Sequence, residues 1–374
     1  MNSEIATNKP ARLLSLDVFR GLAIVGMMLV NSPGNQTAYS FLSHSAWHGC
    51  TLADFVFPFF IFIMGVSVAF AFNKARQHPW LGLLPKIIRR TIIIFLIGLF
   101  LNAFPRHFDF ETLRYFGVLQ RIAICYFFAA ILFLGTSIRT QIILTALLLL
   151  IYWVLMVFIP VPGYGANNLT PAGNLAAYVD RIIFGPKQLY GKVFDPEGVL
   201  STIPSIATAL TGNITGVWLL SRYTRNQKCL GRLIAGVISA ILGWIWGLSF
   251  PINKSLWTSS YVLWTTGFAL IILAIFYWLT DIKGWRAWAK PLEIFGVNAL
   301  AAYFLHIFFL KIQAMIHIKR LDGSTVNLRI YITEHLFGWV PSLKLASLFY
   351  AITYIVFWLL ILWILYRKKI FIKI

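Results

Sequence analysis

A chain of 374 residues that is 59% hydrophobic and only 12% charged cannot cover a water-facing surface, since soluble domains carry about 25% charged residues. Its formal net charge of +20 would suit nucleic acid, but the basic residues sit in short clusters between apolar runs, the pattern by which cytoplasmic loops orient a membrane protein beside anionic headgroups. Both the soluble and the nucleic-acid-binding classes are excluded, and the expected fold is all-α, one polytopic transmembrane bundle of about ten helices spanning residues 1–374.

Taken in chain order, apolar runs of the ~20 residues needed to cross a bilayer lie at 14–31, 52–73, 84–103, 115–135, 141–160, 199–220, 231–250, 257–280, 291–311 and 345–366. The first has no small-residue cleavage pattern after it and reads as a retained helix. It carries Asp17 and Arg20, three apart and so on one face, which either pair locally or line a binding path. It ends at Asn31, about 16 Å further across than Arg20. An asparagine there would ordinarily be a cap or a turn starter.

The uncharged loop 32–51 carries His44, Trp47 and His48, and Asp54 opens the second run. If the loop is helical, the two histidines share a face. A carboxylate beside a histidine orients the ring and raises its basicity, as a general base requires. The competing readings are an inert interfacial histidine or a metal pair, and two histidines alone are too few ligands for the latter. The third run opens with Lys86, Arg89 and Arg90. The fourth, FGVLQRIAICYF, holds Gln120 and Arg121. An inward-facing arginine there would grip a carboxylate or phosphate, or pair with Asp17 or Asp54.

The connections 161–198 and 312–344 are polar enough to be ordered extramembrane caps, and the first ends in KVFDPEGVLSTIPS, a turn followed by a helix start. The ninth run, PLEIFGVNALAAYFLHIFF, carries Glu293, Asn298 and His306. Asn298 and His306 fall near one face, for packing between helices or for the wall of a cavity. Cys50, Cys125 and Cys229 are scattered and support neither a disulfide frame nor a metal site. Short loops decide orientation. Basic residues at Lys9 and Arg12, at Lys74 and Arg76, at Arg222, Arg225, Lys228 and Arg232, at Lys283, Arg286 and Lys290, and in the tail from Arg367 to Lys373 outweigh Arg106 and Arg114 and the other charges of the opposite side. Both ends are therefore expected in the cytoplasm, with the first loop on the far side.

Six segments carry a family resemblance: SLDVFRGLAIVGMMLVN, the HSAWHG block continuing through ADFVFPFFIFIMG, FGVLQRIAICYF, DPEGVLSTIPSI, PINKSLWTSSYVLW and FGVNALAAYFLH. In this order, from about Ser15 to His306, they resemble the catalytic region of the heparan-alpha-glucosaminide N-acetyltransferase family and its bacterial members, within a wider group of transmembrane acyltransferases. The lysosomal form's luminal N-terminal region and extra first helix have no counterpart in these segments. His48 stands where that form has Asn.

The resemblance implies an acetyltransferase that takes acetyl-CoA from the cytosolic side and acetylates the amine of a glucosamine-type sugar on the other side, in a bacterial inner membrane, with no metal. The family's active histidine falls on His44 and its helix-end asparagine on Asn31, with Asp54 as the third catalytic candidate. Arg20, Arg89, Arg90, Gln120 and Arg121 are candidates for holding CoA. Asp17, Trp47, His48, Lys254, Asn298 and His306 are candidates for the acceptor sugar. A homodimer is left open. The alternative from another class is an amino-sugar transporter, although no internal repeat of the kind transporters usually show is present.

Overall fold

The structure is a computed structural model that describes residues 13–35, 37–77, 80–105, 109–320 and 322–372. Lys9, Arg12, Arg106 and Lys373, used above for orientation, lie outside the described residues. Thirteen α-helices are described: α1 (Leu14–Asn31), α2 (Leu52–Phe72), α3 (Leu84–Ala103), α4 (Val118–Gly135), α5 (Ile138–Phe158), α6 (Leu175–Phe184), α7 (Thr202–Leu220), α8 (Arg225–Gly247), α9 (Ser259–Tyr277), α10 (Lys290–Val297), α11 (Ala299–Met315), α12 (Leu328–Phe337) and α13 (Leu343–Arg367). A short antiparallel hairpin, β1 (His317–Lys319) with β2 (Thr325–Asn327), pairs His317 with Asn327 and Lys319 with Thr325.

The fold is all-α and polytopic. Among the described residues, eight helices are long and apolar enough to cross a membrane, and α10 with α11 makes a ninth if the pair is one span. Two expectations are corrected. The run 291–311 is not one straight helix: α10 and α11 meet at 84°. Asn298 is the hinge, with non-helical backbone, and its side chain is spent on the chain's end, donating to the Ile370 carbonyl (3.1 Å) and accepting from the Ile372 N–H (2.9 Å). Second, Arg225 and Lys228 do not lie in a loop before the run at 231–250 but in the first two turns of α8, which begins at Arg225. The 20-residue α3 carries Lys86, Arg89 and Arg90 near its start, which sets it apart from the apolar spans.

Helix contact rests on small residues, as expected where lipid offers no hydrophobic drive between helices. Gly65 on α2 and Gly212 on α7 face each other so closely that a Cβ on either would strike backbone of the other helix. Gly21 on α1 and Gly296 on α10 do the same. α1, α2, α4, α7, α9, α10, α11 and α13 feed one continuous buried cluster that includes Phe19, Phe62, Val262 and Phe295. The two ends of this bundle carry different chemistry. At one end, Asp281 caps α1 by accepting from the Leu14 and Ser15 N–H groups. At the other, α1 runs out at Asn31 and the loop to α2 folds over the helix ends.

Candidate functional site

The loop between α1 and α2 is not helical around its histidines, so His44 and His48 do not share a helix face. It is tied down at Gly49, whose N–H donates to the Ile252 carbonyl (2.8 Å) in a parallel bridge with the segment leading into α9. Gly49 has φ +110°, backbone that L side chains rarely adopt. Through this bridge the two histidines reach different partners.

Asp54 is the centre of the arrangement. It sits in the first turn of α2, fully buried, and one carboxylate oxygen gathers the Thr51 N–H (3.0 Å), the Thr51 hydroxyl (3.1 Å) and the Ser45 N–H (3.1 Å). The other oxygen meets His44 Nδ1 at 2.8 Å. A carboxylate only accepts, so Nδ1 carries the proton and Nε2 keeps its lone pair. The Asp54 backbone carbonyl is itself held by the buried Tyr261 hydroxyl at 2.6 Å. Each bond restrains the histidine ring from below, while half of its side chain stays exposed.

Lys254 completes the cluster from 210 residues away. Its Nζ lies 3.0 Å from His44 Nδ1, 3.2 Å from Nε2 and 3.5 Å from the Asp54 carboxylate. With Nδ1 protonated, the ammonium donates to Nε2. Burial lowers the Lys254 pKa, against the opposing pull of Asp54 and Glu197. The segment carrying it is pinned: the buried Asn253 accepts from the Leu256 N–H (2.9 Å) and donates to His48 Nδ1 (3.3 Å). Three residues on, the buried Trp257 takes a left-handed backbone, φ +52°. Strain of that kind in a bulky residue persists only where the surroundings over-determine it. Here the indole N–H bonds Thr208 (3.1 Å) and the Arg121 guanidinium covers the ring at 5.0 Å.

Below His44 opens a cavity of about 130 Å³ whose walls include Asn31, His44, Lys254, Glu197 and Tyr303 among apolar side chains such as Met27 and Phe57. Asn31 therefore reaches the same space as His44. Glu197 and Tyr303 were not foreseen. Glu197 belongs to the turn of DPEG, which is tightly bonded: Arg114 bonds both Asp195 (2.7 Å) and Glu197, and Arg121 donates to the Gly198 carbonyl (3.2 Å) and the Ser201 hydroxyl. Burial would raise the Glu197 pKa, but Arg114 and Arg121 outweigh it and hold the carboxyl below its usual range. The cavity thus presents a cation, an anion and a histidine lone pair within one small volume. Cys50, close by, is no nucleophile, since burial pushes its thiol up to about 12.

The remaining candidates fall elsewhere. Trp47 borders the site, with its N–H on the Leu169 carbonyl (2.8 Å) and its ring edge-on to His48 and Phe194. Arg121 is wholly buried beneath the Glu197 turn, and Gln120 is packed against Gly98 of α3. Asp17 and Arg20 pair at 3.0 Å at the opposite end of α1, where Arg20 also donates to Ser67 (2.8 Å) and to the Gly296 carbonyl. Asn298 is at that end as well, bound to the chain terminus. His306 is buried within α11, with Nδ1 on the Ala302 carbonyl at 3.0 Å. Arg89 and Arg90 are exposed, and Arg90 covers the Tyr126 ring at 4.8 Å. Among the described residues, no three metal-ligating side chains gather.

Comparison with known proteins converges on one family. The family described as "Heparan-alpha-glucosaminide N-acetyltransferase, catalytic" matches residues 12–244. The human protein named heparan-alpha-glucosaminide N-acetyltransferase is 32% identical over 98% of this chain and 60% of its own length. The mouse protein of the same name is 32% identical over 97% of this chain and again 60% of its own length. The chain thus spans about three-fifths of the curated relatives it matches. His44, Asn31, Asp54 and Glu197 lie inside the family match, whereas Lys254 and Tyr303 lie beyond its end.

Proposed function

The chain belongs to the heparan-alpha-glucosaminide N-acetyltransferase family, and we propose that it moves the acetyl group of acetyl-CoA onto the amine of a glucosamine-type sugar at the His44 cavity. The observation that carries this reading is the convergence of His44, Lys254 and Asn31 on one cavity, from three separate parts of the chain, with the buried Asp54 holding His44 from behind. A catalytic base needs its reactive nitrogen free and its other nitrogen fixed. Asp54 supplies that arrangement.

The acceptor's amine displaces Lys254 from Nε2 and gives its proton to that nitrogen as its lone pair bonds the thioester carbonyl carbon. The carbon–sulfur bond breaks, and the departing thiolate takes the proton back from His44. Asn31 and Lys254 donate to the oxygen that becomes negative in between, where such donors contribute most. In the covalent variant, Nε2 itself bonds the acetyl carbon before the amine arrives. Asp54 occupies Nδ1 in either route, so the two share one nitrogen.

The donor's nucleotide is assigned to the other end of the bundle, near the exposed Arg89 and Arg90. From Asp17 to Asn31, α1 rises about 21 Å, within the reach of an extended pantetheine arm. With both termini cytoplasmic, as the short basic loops favour, the chain sits in a bacterial inner membrane with His44 on the far side.

The test uses purified protein in detergent with labelled acetyl-CoA. Transfer to glucosamine with release of CoA is expected, and its absence alongside glucosamine accumulation in vesicles lacking acetyl-CoA would make the protein a carrier instead. Label retained on His44 without an acceptor selects the covalent route, and no retention with full transfer selects the direct one.

A further inference from the structure

A second cavity lies outside this chemistry, between α7, α8 and α9. Its volume is about 380 Å³, larger than that at His44, and its walls are Thr211, Ile214, Thr215, Trp218, Ala235 and Leu270 with Gly231, Thr266 and Arg232. Arg232 is the anomaly. It is 2% exposed, yet Nε and both terminal nitrogens have no hydrogen-bond partner. The Tyr277 ring lies 4.3 Å below the guanidinium, and Asp281 acts on it through space without a hydrogen bond. An arginine among apolar turns is costly unless an anion or a set of acceptors meets it; here the nearby carboxylate of Asp281 bonds the Leu14 and Ser15 N–H groups instead, and no acceptor among the described residues bonds the guanidinium.

The surroundings say which anion fits. Arg232 is seven residues into α8, about 10 Å from its start, at the end where Arg225 donates to the Asp281 carbonyl (3.2 Å). Lys228 shares this end, one turn before Arg232. Positive charge is therefore concentrated at interfacial depth. The outer face of α8 is lined by exposed Leu230, Leu233, Ile234, Val237, Ile238 and Ile241, a surface only acyl chains would cover. The cleft joins an unpaired planar cation to an apolar slot opening beside a lipid-facing helix.

We infer that this cleft is a binding site for an anionic phospholipid, with the phosphate on the Arg232 guanidinium and one acyl chain along Thr215, Ala235 and Leu270. Arginine's fork suits two phosphate oxygens at once. The site is about 22 Å along α8 from the end that leads to Lys254, so its ligand does not share the His44 cavity.

Native mass spectrometry of the intact detergent-solubilised protein tests this, with phosphatidylglycerol, phosphatidylcholine, inorganic phosphate and coenzyme A as separate arms. One phosphatidylglycerol should be retained about tenfold over phosphatidylcholine, as charge-assisted recognition allows. Neither inorganic phosphate nor coenzyme A should displace it. Arg232→Gln should bring its retention down to that of phosphatidylcholine, and Ala235→Phe, which leaves the charge and fills the slot, should do the same. Equal retention of the two lipids, displacement by phosphate or coenzyme A, or unchanged retention in Ala235→Phe would overturn the proposal. If Arg232→Gln does not yield folded protein, Ala235→Phe decides alone.

Discussion

Replacing Asp54 by asparagine keeps the shape of the side chain and removes only its ability to accept on both sides. The carboxylate now serves His44 Nδ1 (2.8 Å) with one oxygen and the Thr51 and Ser45 N–H groups with the other. An amide has one acceptor and one donor end. If its oxygen faces His44, its NH₂ confronts two backbone donors. If it turns over, the NH₂ meets Nδ1, forces the ring proton to Nε2, and removes the base. General-base catalysis contributes about 10²–10⁴-fold, so kcat/KM for acetyl transfer should fall by that factor, or ~2.7–5.5 kcal/mol at 1.36 kcal/mol per decade. The fold should lose less. Removing the helix-start bonds costs about 1 kcal/mol, because Leu52–Phe72 is otherwise held by packing along its length. Steady-state rates with labelled acetyl-CoA, paired with thermal unfolding in the same detergent, separate the two. A folded Asp54→Asn protein within about threefold of wild-type activity, against the range expected of a base, would refute the reasoning.

Other consequences follow from the same geometry. Burial lowers the Lys254 pKa in the folded state, so between that lowered value and the unfolded value near 10.4 the unfolded chain binds more protons and stability rises with pH. The thermal midpoint of the wild type should therefore gain on that of Lys254→Met from pH 7 to pH 10, and parallel profiles would contradict this. Asp180 on α6 behaves in the opposite sense: burial raises it to about 7, so it favours the folded state at low pH and that advantage is lost as pH rises from about 4 to 7. Asp180→Asn should flatten the wild type's decline in unfolding midpoint across that window, while an unchanged slope would exclude it. Gly65→Ala places a methyl against the Ala209 carbonyl of α7, and overpacking of this kind costs about 1–3 kcal/mol. An unfolding midpoint equal to wild type would mean the two helices are not in contact at this point.

Much of this was legible in residue order. Repeated apolar runs specify an all-helical membrane bundle, because only helices and closed barrels satisfy their backbone in lipid. The ten-residue separation of His44 and Asp54 across a helix start was enough to suggest an oriented histidine. Other features depend on three-dimensional closure. Lys254 meets His44 only because Gly49 bridges to Ile252 and Asn253, a pairing with no local signal. Glu197 reads as a turn residue because it is one; its second role arises because Arg114 bonds its carboxylate at the wall of the cavity, and the acidic pair flanking Pro196 is the available hint. The break at Asn298 escaped a hydropathy reading because every residue around it is apolar, although the Gly-Val-Asn triplet marked where a helix would yield. Arg232 lies just inside the apolar run that begins at 231, where a basic residue would ordinarily reach for the interface, and no local pattern signals that its guanidinium is buried between helices instead.

The most direct measurement is transfer across a sealed membrane. Protein reconstituted into vesicles, with glucosamine trapped inside and labelled acetyl-CoA added only outside, should yield labelled N-acetylglucosamine in the lumen while CoA stays outside. His44→Ala should abolish it, since the Nε2 of His44 is the group that takes the amine's proton in this account. Full luminal product with His44→Ala, or none with the wild type, would contradict the account.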